Sequence, residues 1–361
     1  MRGVSDSSLD LDQIRGFTKH VFEFMEGFVV ASSVYFGVKL GLYAALRDAG
    51  PVDASELASR AGLHPRWVQE WLRVQGAAGL LDHLGSERFA MSPLAATVLA
   101  DESSLFYAAG SFTALPQRAA NLEPLLESFK TGIGLPFDAA GPEGAHATEL
   151  MFGNWFRQML VPVMLPALDG VTAKLSAGAK VADVGCGSGI AVLEMAKAFP
   201  ASEVHGYDIS VHAIERAERN KKAAGVSNAE FHLVTGEALP DDHSLDFVTT
   251  FDCIHDMTRP AEVMAAIRGA MADDGTWLMG DIKGAANYGE NLEKNPMVAM
   301  MYGISLTGCM SAGMSEPGGA GLGTLGLPEP RAREMTAAVG FSRFAVHDFG
   351  NPINLYYEIR P

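Results

Sequence analysis

The chain has 361 residues, a length that usually holds two or three domains. Its 48% hydrophobic and 19% charged residues are typical of a folded protein and exclude a disordered tail. Acidic residues outnumber basic ones by 43 to 27, and the net charge of −16 disfavours nucleic acid or an anionic membrane as the main partner. Cys186, Cys253 and Cys309 fit neither a disulfide framework nor a zinc ribbon, so we expect a cytoplasmic protein.

The amino-terminal sequence predicts neither a signal peptide nor a membrane span. Residues 1–13 are rich in Ser and Asp and lack an apolar core. Residues 28–46 are apolar and long enough to span a bilayer, but they include Lys39, Ser32 and Ser33. A central lysine alone costs roughly 2.5–3.5 kcal/mol of insertion free energy. We therefore interpret this stretch as a helix that is buried or lies in a dimer interface.

Residues 1–100 predict helices followed by a β-hairpin. Apolar residues at spacings of three and four form the face of a first helix: Ile14, Phe17, Val21, Phe24, Met25 and Phe28. A short helix after Asp53, a helix from Arg66 and a hairpin over residues 80–90 follow, which is the order of a winged helix. This region carries nine basic and eleven acidic residues, and the helix from Arg66 presents Trp67 and Trp71. We therefore expect packing or dimerisation, with DNA recognition as the alternative.

The remaining residues predict a connector and a parallel sheet. Residues 101–175 form a helical connector and pocket roof. From residue 176 to 361, strands over residues 180–184, 204–208, 231–234, 247–251 and 276–281 alternate with helices over residues 191–198, 212–224 and 260–271. This alternation predicts an α/β domain with a doubly wound, Rossmann-like sheet. The Gly-rich residues 308–330 predict a loop over the sheet edge.

A glycine-rich segment lies where the first of these strands meets its helix. Gly185, Gly187 and Gly189 let the backbone turn sharply and approach a ligand at the amino end of the helix. Their spacing is one residue shorter than that of the nicotinamide dinucleotide pattern. Asp183 would repel a pyrophosphate and favour an amine, and Asp208, at the end of the next strand, can accept both ribose hydroxyls. The pattern favours a nucleoside joined to an amino acid.

Four segments together resemble the motifs of the class I S-adenosylmethionine-dependent methyltransferases: residues 183–189, 205–209, 235–240 and 246–252. This resemblance implies a seven-stranded sheet and S-adenosylmethionine as the cofactor. It implies that Gly185, Gly187 and Gly189 form the glycine loop and that Asp208 holds the ribose. It also implies that Glu237 and Ala238 meet the adenine, that Asp183 and Asp252 line the methionine end, and that Ile209 belongs to the cofactor site. Glu237 stands where the family usually has Asp.

The resemblance covers nearly the whole chain. Residues 39–43, 70–72, 252–257 and 354–360 are similar to a bacterial group of methyltransferases that has an amino-terminal winged-helix domain. In related O-methyltransferases this domain forms the dimer and closes the substrate pocket. The resemblance therefore implies a homodimer that acts on a small molecule.

His255 is the leading candidate for a catalytic base, because it follows a strand at the carboxyl edge of the sheet. His255 and Asp256 occupy the place of the His-Asp-Trp motif of plant-type O-methyltransferases, with Met257 in place of Trp. The alternative is structural, with His255 bonded to the backbone and Asp256 capping a helix. We expect no metal there, since no histidine lies between Asp256 and His347.

The acceptor pocket is expected to involve residues of the connector and of a methionine-rich segment: Trp155, Met301, Tyr302 and Ser305, with Tyr107, Phe156, Met300 and Asn354 as further candidates. The methionines of this segment are equally consistent with core packing. We expect O-methylation of a small molecule. Sulfur, nitrogen and carbon acceptors, a nucleoside-sensing winged-helix regulator and a nicotinamide-dependent oxidoreductase are the alternatives.

Overall fold

A computed structural model describes residues 10–361, so most of the segment tested above for a signal peptide lies outside the described residues. Its contacts divide the chain into two compact units, residues 1–115 and 116–361. The domain boundaries expected at residues 100 and 175 do not coincide with this division. Residues 101–115 belong to the first unit, and the rest of the expected connector belongs to the second.

The amino-terminal unit consists of five helices and a short hairpin: α1 (Leu11–Lys39), α2 (Leu42–Leu46), α3 (Ala54–Ala61), α4 (Pro65–Ala77), β1 (Asp82–His83), β2 (Phe89–Ala90) and α5 (Pro93–Leu99), followed by a 3-10 helix (Ala109–Ala114). Asp53 and Glu56 form a capping box that starts α3, and Pro65 starts α4. β1 and β2 pair antiparallel, and Val52 bridges to Phe89. The winged-helix assignment of this unit stays a prediction.

A buried polar network joins the helices of this unit. The Trp71 indole donates to the Ser33 carbonyl at 2.8 Å, and Gln75 donates to the Ser33 hydroxyl at 2.8 Å. The Tyr43 hydroxyl donates to Gln75 at 2.7 Å. Trp71 is therefore a core residue, whereas Trp67 on the same helix is 80% exposed.

Helix α1 leaves its apolar residues uncovered within this unit. All six residues of the predicted apolar face are exposed: Ile14, Phe17, Val21, Phe24, Met25 and Phe28. By length and composition α1 could cross a membrane, although only 17% of its most apolar window is buried. The expected continuous helix over residues 28–46 is wrong: α1 ends at Lys39, and Gly41, at φ +68°, separates it from α2.

The carboxy-terminal unit begins with helices and continues as an α/β sheet. Its first elements are α6 (Leu115–Ala120), α7 (Leu122–Thr131), a 3-10 helix (Phe137–Ala140), α8 (Gly141–Trp155), π-helical turns (Phe156–Met164) and α9 (Val171–Ala177). Its strands are β3 (Lys180–Val184), β4 (Glu203–Asp208), β5 (Ala229–Leu233), β6 (Leu245–Phe251), β7 (Met271–Ile282), β8 (Arg343–His347) and β9 (Asn354–Arg360). Its further helices are α10 (Ile190–Ala198), α11 (Val211–Ala224), α12 (Pro260–Ala270), α13 (Tyr288–Lys294), α14 (Val298–Ile304), α15 (Met310–Gly313) and α16 (Glu329–Ala338).

The seven strands form one sheet in the order β5-β4-β3-β6-β7-β9-β8. β3 to β7 are parallel, and β9 inserts antiparallel between β7 and β8. Apolar clusters cover both faces of this sheet, which is why its inner strands are almost continuously apolar. The predicted doubly wound fold is confirmed. Strand order reverses beside β3, and ligands bind at the carboxyl ends of strands at such a point.

The Gly-rich segment over residues 308–330 differs from the predicted loop. Helical structure continues through Ser305–Cys309 and α15, so the loop comprises residues 314–328. Ala312 and Leu325 from the two parts of this segment are buried. Packing of apolar residues between the glycines therefore stabilises helical structure as far as Gly313, although the glycine content predicts a loop.

Candidate active site

The predicted glycine loop turns directly after β3. Gly185 and Gly187 have φ of +74° and +55°, which L-residues with a side chain rarely adopt. A Cβ at Gly187 would meet no atom within 4 Å, so the loop leaves space above the sheet. The Gly187 N–H donates to Asp208 at 2.8 Å. Two neighbouring strands thus meet at this loop.

Asp208 lies at the end of β4 and is almost fully buried. One carboxylate oxygen accepts the Gly187 N–H, and the other accepts the Ser210 N–H, also at 2.8 Å. Burial raises the pKa of Asp208. The Ile209 N–H also bonds to this carboxylate, which leaves about one of its roughly four acceptor positions for a hydroxyl donor.

Asp138 is a residue of this site that the sequence reasoning missed. It lies in the 3-10 helix Phe137–Ala140, and its carboxylate accepts from the Ser210 hydroxyl and, at 3.2 Å, from the Val211 N–H. Asp138 therefore ties the segment before α8 to the start of α11. The only sequence signal is an acidic residue after Pro136, and such residues are common.

Two further acidic residues lie near the carboxyl ends of β3 and β6. The Thr249 hydroxyl donates to Asp183 at 2.6 Å, and Asn354 from β9 donates to Asp252. Burial, with Asp208 nearby, raises the pKa of Asp183 to about 7. Burial and then Asp281 raise the pKa of Asp252 to about 7. Asp252 has φ of +52°, an uncommon conformation that functional sites often contain.

The residues expected on the adenine side lie at a more open position. Glu237 and Ala238 form a short 3-10 helix that begins at Gly236. A Cβ at Gly236 would lie 3.0 Å from Val184, the last residue of β3, so this turn packs beside the glycine loop. Glu237 is half-buried, and Ile209 is 61% exposed. Both remain available to a ligand.

His255 forms a buried pair with Asp281. Its Nδ1 donates to Asp281 Oδ1 at 2.8 Å, and the two side chains are 3% and 1% exposed. Asp281 Oδ2 is buried and has no hydrogen-bond partner among residues 10–361. Burial lowers the pKa of His255, but Asp281 and then Cys309 outweigh it and raise that pKa well above its usual range.

Neither Asp281 nor Cys309 is among the predicted site residues. Asp281 ends β7 next to the carboxyl end of β6, and an acidic residue at the end of an apolar strand is the signal that could have found it. Ligand atoms of His255, Asp256 and Cys309 all lie within 4.8 Å of one another, which is compact enough for a metal ion. Burial raises the pKa of Asp256 to about 7.

The segment after β7 packs over His255. The Gly323 N–H donates to the His255 carbonyl at 3.0 Å, and the Thr324 N–H donates to the Ser305 hydroxyl at 3.2 Å. Ser305 thus holds the covering loop in place. Its predicted contact with substrate is not tested by this arrangement.

The other predicted acceptor residues lie in several parts of the molecule. Met301 is buried and lines a cavity of about 360 Å³ together with Met297 and Ile353. Tyr302 is 37% exposed, and its ring lies 5.6 Å from that of Tyr288. Phe156 lies beside β6, and Asn354 is the first residue of β9. Tyr107 belongs to the other unit.

The aromatic residues of the connector lie against the sheet. The Phe156 ring lies 4.7 Å from that of Phe251, at the end of β6. Trp155 packs in the same apolar cluster as Tyr356 of β9, and its indole N–H is buried without a hydrogen-bond partner among residues 10–361. These side chains form an apolar wall near Asp252, which follows Phe251 directly.

The acidic residues and the glycine loop fit S-adenosylmethionine. The space at Gly187 admits a ligand close to the backbone, and Asp208 offers an acceptor for a ribose hydroxyl. The carboxyls of Asp183 and Asp252 favour the positive charges of the amino group and the sulfonium. They would oppose the pyrophosphate of a nicotinamide dinucleotide. The fold and this site together resemble those of a class I methyltransferase.

Comparison with known proteins agrees with this assignment. Residues 175–313 match the family model described as "Methyltransferase domain". The ubiquinone biosynthesis O-methyltransferase of Neisseria meningitidis serogroup C is 32% identical over 116 residues, which are 32% of this chain and 48% of that protein. The matched region thus spans about half the length of this curated relative. The ribosomal RNA large subunit methyltransferase G of Alcanivorax borkumensis is 39% identical over 87 residues, 24% of this chain and 21% of that protein.

Solved structures share the fold over nearly the whole chain. The mitomycin 7-O-methyltransferase MmcR has a TM-score of 0.69 at 19% identity and covers 97% of this chain and 99% of its own. Human N-acetylserotonin methyltransferase, solved with S-adenosylmethionine, has a TM-score of 0.68 at 16% identity, with 98% and 99% covered. A putative O-methyltransferase of Nostoc punctiforme reaches 0.74 at 16% identity, with 95% and 99% covered. Residues 175–313 therefore match a methyltransferase domain, and the chain as a whole shares the fold of these solved structures.

Proposed function

We propose that this protein transfers the methyl group of S-adenosylmethionine to a hydroxyl group of a small molecule, with His255 as the general base. The observation that carries this proposal is the buried pair of His255 and Asp281 at the carboxyl edge of the sheet, beside the predicted methionine end of the cofactor site. O-methyltransferases among the structural neighbours support the choice of oxygen.

Asp281 orients the proposed base. Because a carboxylate accepts only, Nδ1 of His255 carries the proton of their hydrogen bond, and Nε2 can accept a proton from the substrate hydroxyl. The imidazolium that forms is stabilised by Asp281. Proton transfer to a positioned base contributes roughly 10²–10⁴-fold in rate. S-adenosylmethionine supplies an electrophilic methyl group when bound, and S-adenosylhomocysteine leaves.

The protonation state of His255 depends on the charge of the cleft. Burial lowers the pKa of His255, but Asp281 raises it above the usual range, which favours the imidazolium before the donor binds. Positive charge entering this cleft lowers that pKa, because like charges disfavour the charged form. We expect His255 to lose its proton when the sulfonium is present. His255 can then act as a base only after S-adenosylmethionine has bound.

Isothermal titration in buffers of different ionisation enthalpy tests this proton release. We expect S-adenosylmethionine to release more protons on binding than S-adenosylhomocysteine, which lacks the positive sulfur. The difference should disappear in His255→Gln and persist in His243→Gln, a change at an exposed histidine of the same unit. Equal proton release by both ligands would argue against deprotonation of His255 by binding of S-adenosylmethionine.

A mass-shift screen identifies the acceptor. Purified protein is incubated with a metabolite extract and S-adenosylmethionine that carries a deuterated methyl group. We expect a labelled product whose formation falls at least about 100-fold in His255→Gln, with nearly unchanged S-adenosylhomocysteine affinity. A labelled product that the variant forms at the wild-type rate would contradict the base and favour sulfur, nitrogen or carbon acceptors.

We further propose that the winged-helix-like amino-terminal unit forms a homodimer in the cytoplasm. The exposed apolar face of α1 supports a second copy of this chain as its partner. Glu23 and Glu26 lie in the middle of α1, where a carboxylate is costly in a bilayer, and this favours a protein partner over a membrane. The three cysteines are free thiols, which suits a reducing compartment.

A further inference from the structure

A cluster of metal-ligating side chains lies away from the methyltransferase site, at the edge of the sheet. His205 belongs to β4, and Glu230 and His232 belong to the edge strand β5. In the parallel register His205 lies opposite Glu230, and Tyr207 lies opposite His232. Side chains two residues apart on a strand share a face, so all three project on one side of the sheet.

The distances within this cluster match those between ligands of one small cation. His205 Nδ1 lies 3.0 Å from His232 Nε2 and 3.8 Å from Glu230 Oε2. Bonds of about 2.0–2.1 Å to a tetrahedral zinc ion place neighbouring ligand atoms about 3.3 Å apart. The observed separations bracket this value. An ion could therefore bind with small rotations of the side chains.

Neighbouring residues hold the two imidazole rings in place. The His205 and His232 ring centroids are 5.3 Å apart in a stacked arrangement, and the Tyr207 ring stacks on His232 at 4.8 Å. His205 and His232 are half-buried, whereas Glu230 faces solvent. The rings are thus arranged before binding, and Glu230 leaves an open path.

We propose that His205, Glu230 and His232 form a binding site for a divalent transition metal ion of the zinc class, with solvent as the fourth ligand. Two imidazoles and one carboxylate favour Zn²⁺, Co²⁺ or Ni²⁺ over Mg²⁺ and Ca²⁺, which prefer oxygen ligands. This site is distinct from the group of His255, Asp256 and Cys309, which shares no residue with it.

The position of this site links it to the fold around the cofactor site. β4 ends at Asp208, and β5 leads within a few residues to the turn that carries Glu237. An ion that joins His205 to His232 crosslinks these two strands. Since an edge strand has only one neighbour, we expect the bound ion to raise the thermal unfolding midpoint of the full-length protein.

Titration with Co²⁺ and Zn²⁺ tests the proposal without reference to enzyme activity. We expect one Co²⁺ per chain with the visible absorption of a four-coordinate site, displaced by Zn²⁺, and a higher unfolding midpoint with Zn²⁺. Glu230→Gln and His232→Gln should each weaken binding at least tenfold. Glu230→Gln preserves shape at an exposed position, so it separates lost ligation from misfolding.

Two variants serve as matched controls. His212→Gln, at another half-buried histidine of the same unit, should bind Co²⁺ as the wild type does. Cys309→Ser should also leave binding unchanged. The proposal is overturned if the wild type binds no Co²⁺ at micromolar concentration. It is equally overturned if Glu230→Gln and His232→Gln bind normally while Cys309→Ser does not, which would place the ion at the catalytic group.

Discussion

Replacement of Asp208 by Asn tests the core of the cofactor assignment. The two carboxylate oxygens accept the N–H groups of Gly187 and Ser210 at 2.8 Å each. Asn keeps the size of the side chain but turns one acceptor into a donor, so one backbone N–H loses its partner. It also removes the charge that would accept a ribose hydroxyl. Two effects are expected, one on the fold and one on binding.

The magnitudes of these two effects differ. A neutral hydrogen bond contributes about 0.5–1.5 kcal/mol to the free energy of unfolding, and hydrogen bonds to a charged group contribute about 1.5–3 kcal/mol. Burial already disfavours the ionised carboxylate of Asp208. Because Asn is neutral, it avoids this cost, which offsets part of the stability lost with the hydrogen bond. We expect Asp208→Asn to lower the unfolding free energy by about 1 kcal/mol. S-adenosylhomocysteine should bind roughly 10- to 150-fold more weakly.

Isothermal titration with S-adenosylhomocysteine and with its 2′-deoxy and 3′-deoxy analogues measures the coupling. If Asp208 accepts a ribose hydroxyl, the losses from Asp208→Asn and from the deoxy ligand that lacks this hydroxyl are not additive. Asp242→Asn is the matched control, since this exposed carboxylate also accepts a backbone N–H, from Ser244 at 3.1 Å. Unchanged affinity in Asp208→Asn, or strictly additive losses, would refute the assignment and leave Asp208 as a support for the glycine loop.

Three further predictions concern the loop, the pH dependence and the amino-terminal unit. Gly187→Ala should cost about 1–2 kcal/mol in urea unfolding and abolish S-adenosylhomocysteine binding, whereas Gly189→Ala, whose Cβ would lie 2.4 Å from a Phe231 ring atom, should destabilise more. Because the folded-state pKa of Asp183 is raised to about 7, its contribution to the stability of the ligand-free protein is present below pH 4 and is lost as pH rises to 7. Between these pH values Asp183 alone changes the free energy of unfolding by about −1.4 kcal/mol per pH unit. In urea unfolding, the free energy of Asp183→Asn should therefore depend less steeply on pH. Phe24→Asp on exposed α1 should give monomers in sedimentation experiments, and a persistent dimer would contradict the proposed interface.

The sequence predicted the parallel sheet well, because buried parallel strands are short apolar runs between polar segments. The strand that carries Asp183 and the strand that ends at Asp208 both lie where the pattern placed them. The sequence also predicts that the two strands meet at the glycine loop, because both end in turns at the same edge of the sheet. Local sequence therefore determines this half of the site.

The proposed catalytic half of the site depends on contacts between distant residues, which a single sequence does not specify. Asp281 reaches His255 across 26 residues, and Asn354 reaches Asp252 across 102. The second contact exists only because β9 inserts antiparallel beside β7, and periodicity does not reveal that pairing. The errors over residues 28–46 and 308–330 have a local cause. One glycine, Gly41, breaks an apolar stretch, whereas two glycines of the later segment, Gly308 and Gly313, lie within helical structure.

The charge of the cleft discriminates between the candidate functions more strongly than the glycine spacing does. Asp183, Asp208 and Asp252 lie at the carboxyl edge around the loop, and burial raises the pKa of each. Concentrating carboxyls in a buried site costs free energy unless a ligand of opposite charge offsets it. S-adenosylmethionine brings a sulfonium and an ammonium to such a site, whereas a dinucleotide brings two negative phosphates. The same electrostatic argument underlies the proposed base, because Asp281 raises the pKa of His255 and the positive charge of the donor lowers it. In this proposal, donor binding and base activation share one electrostatic cause.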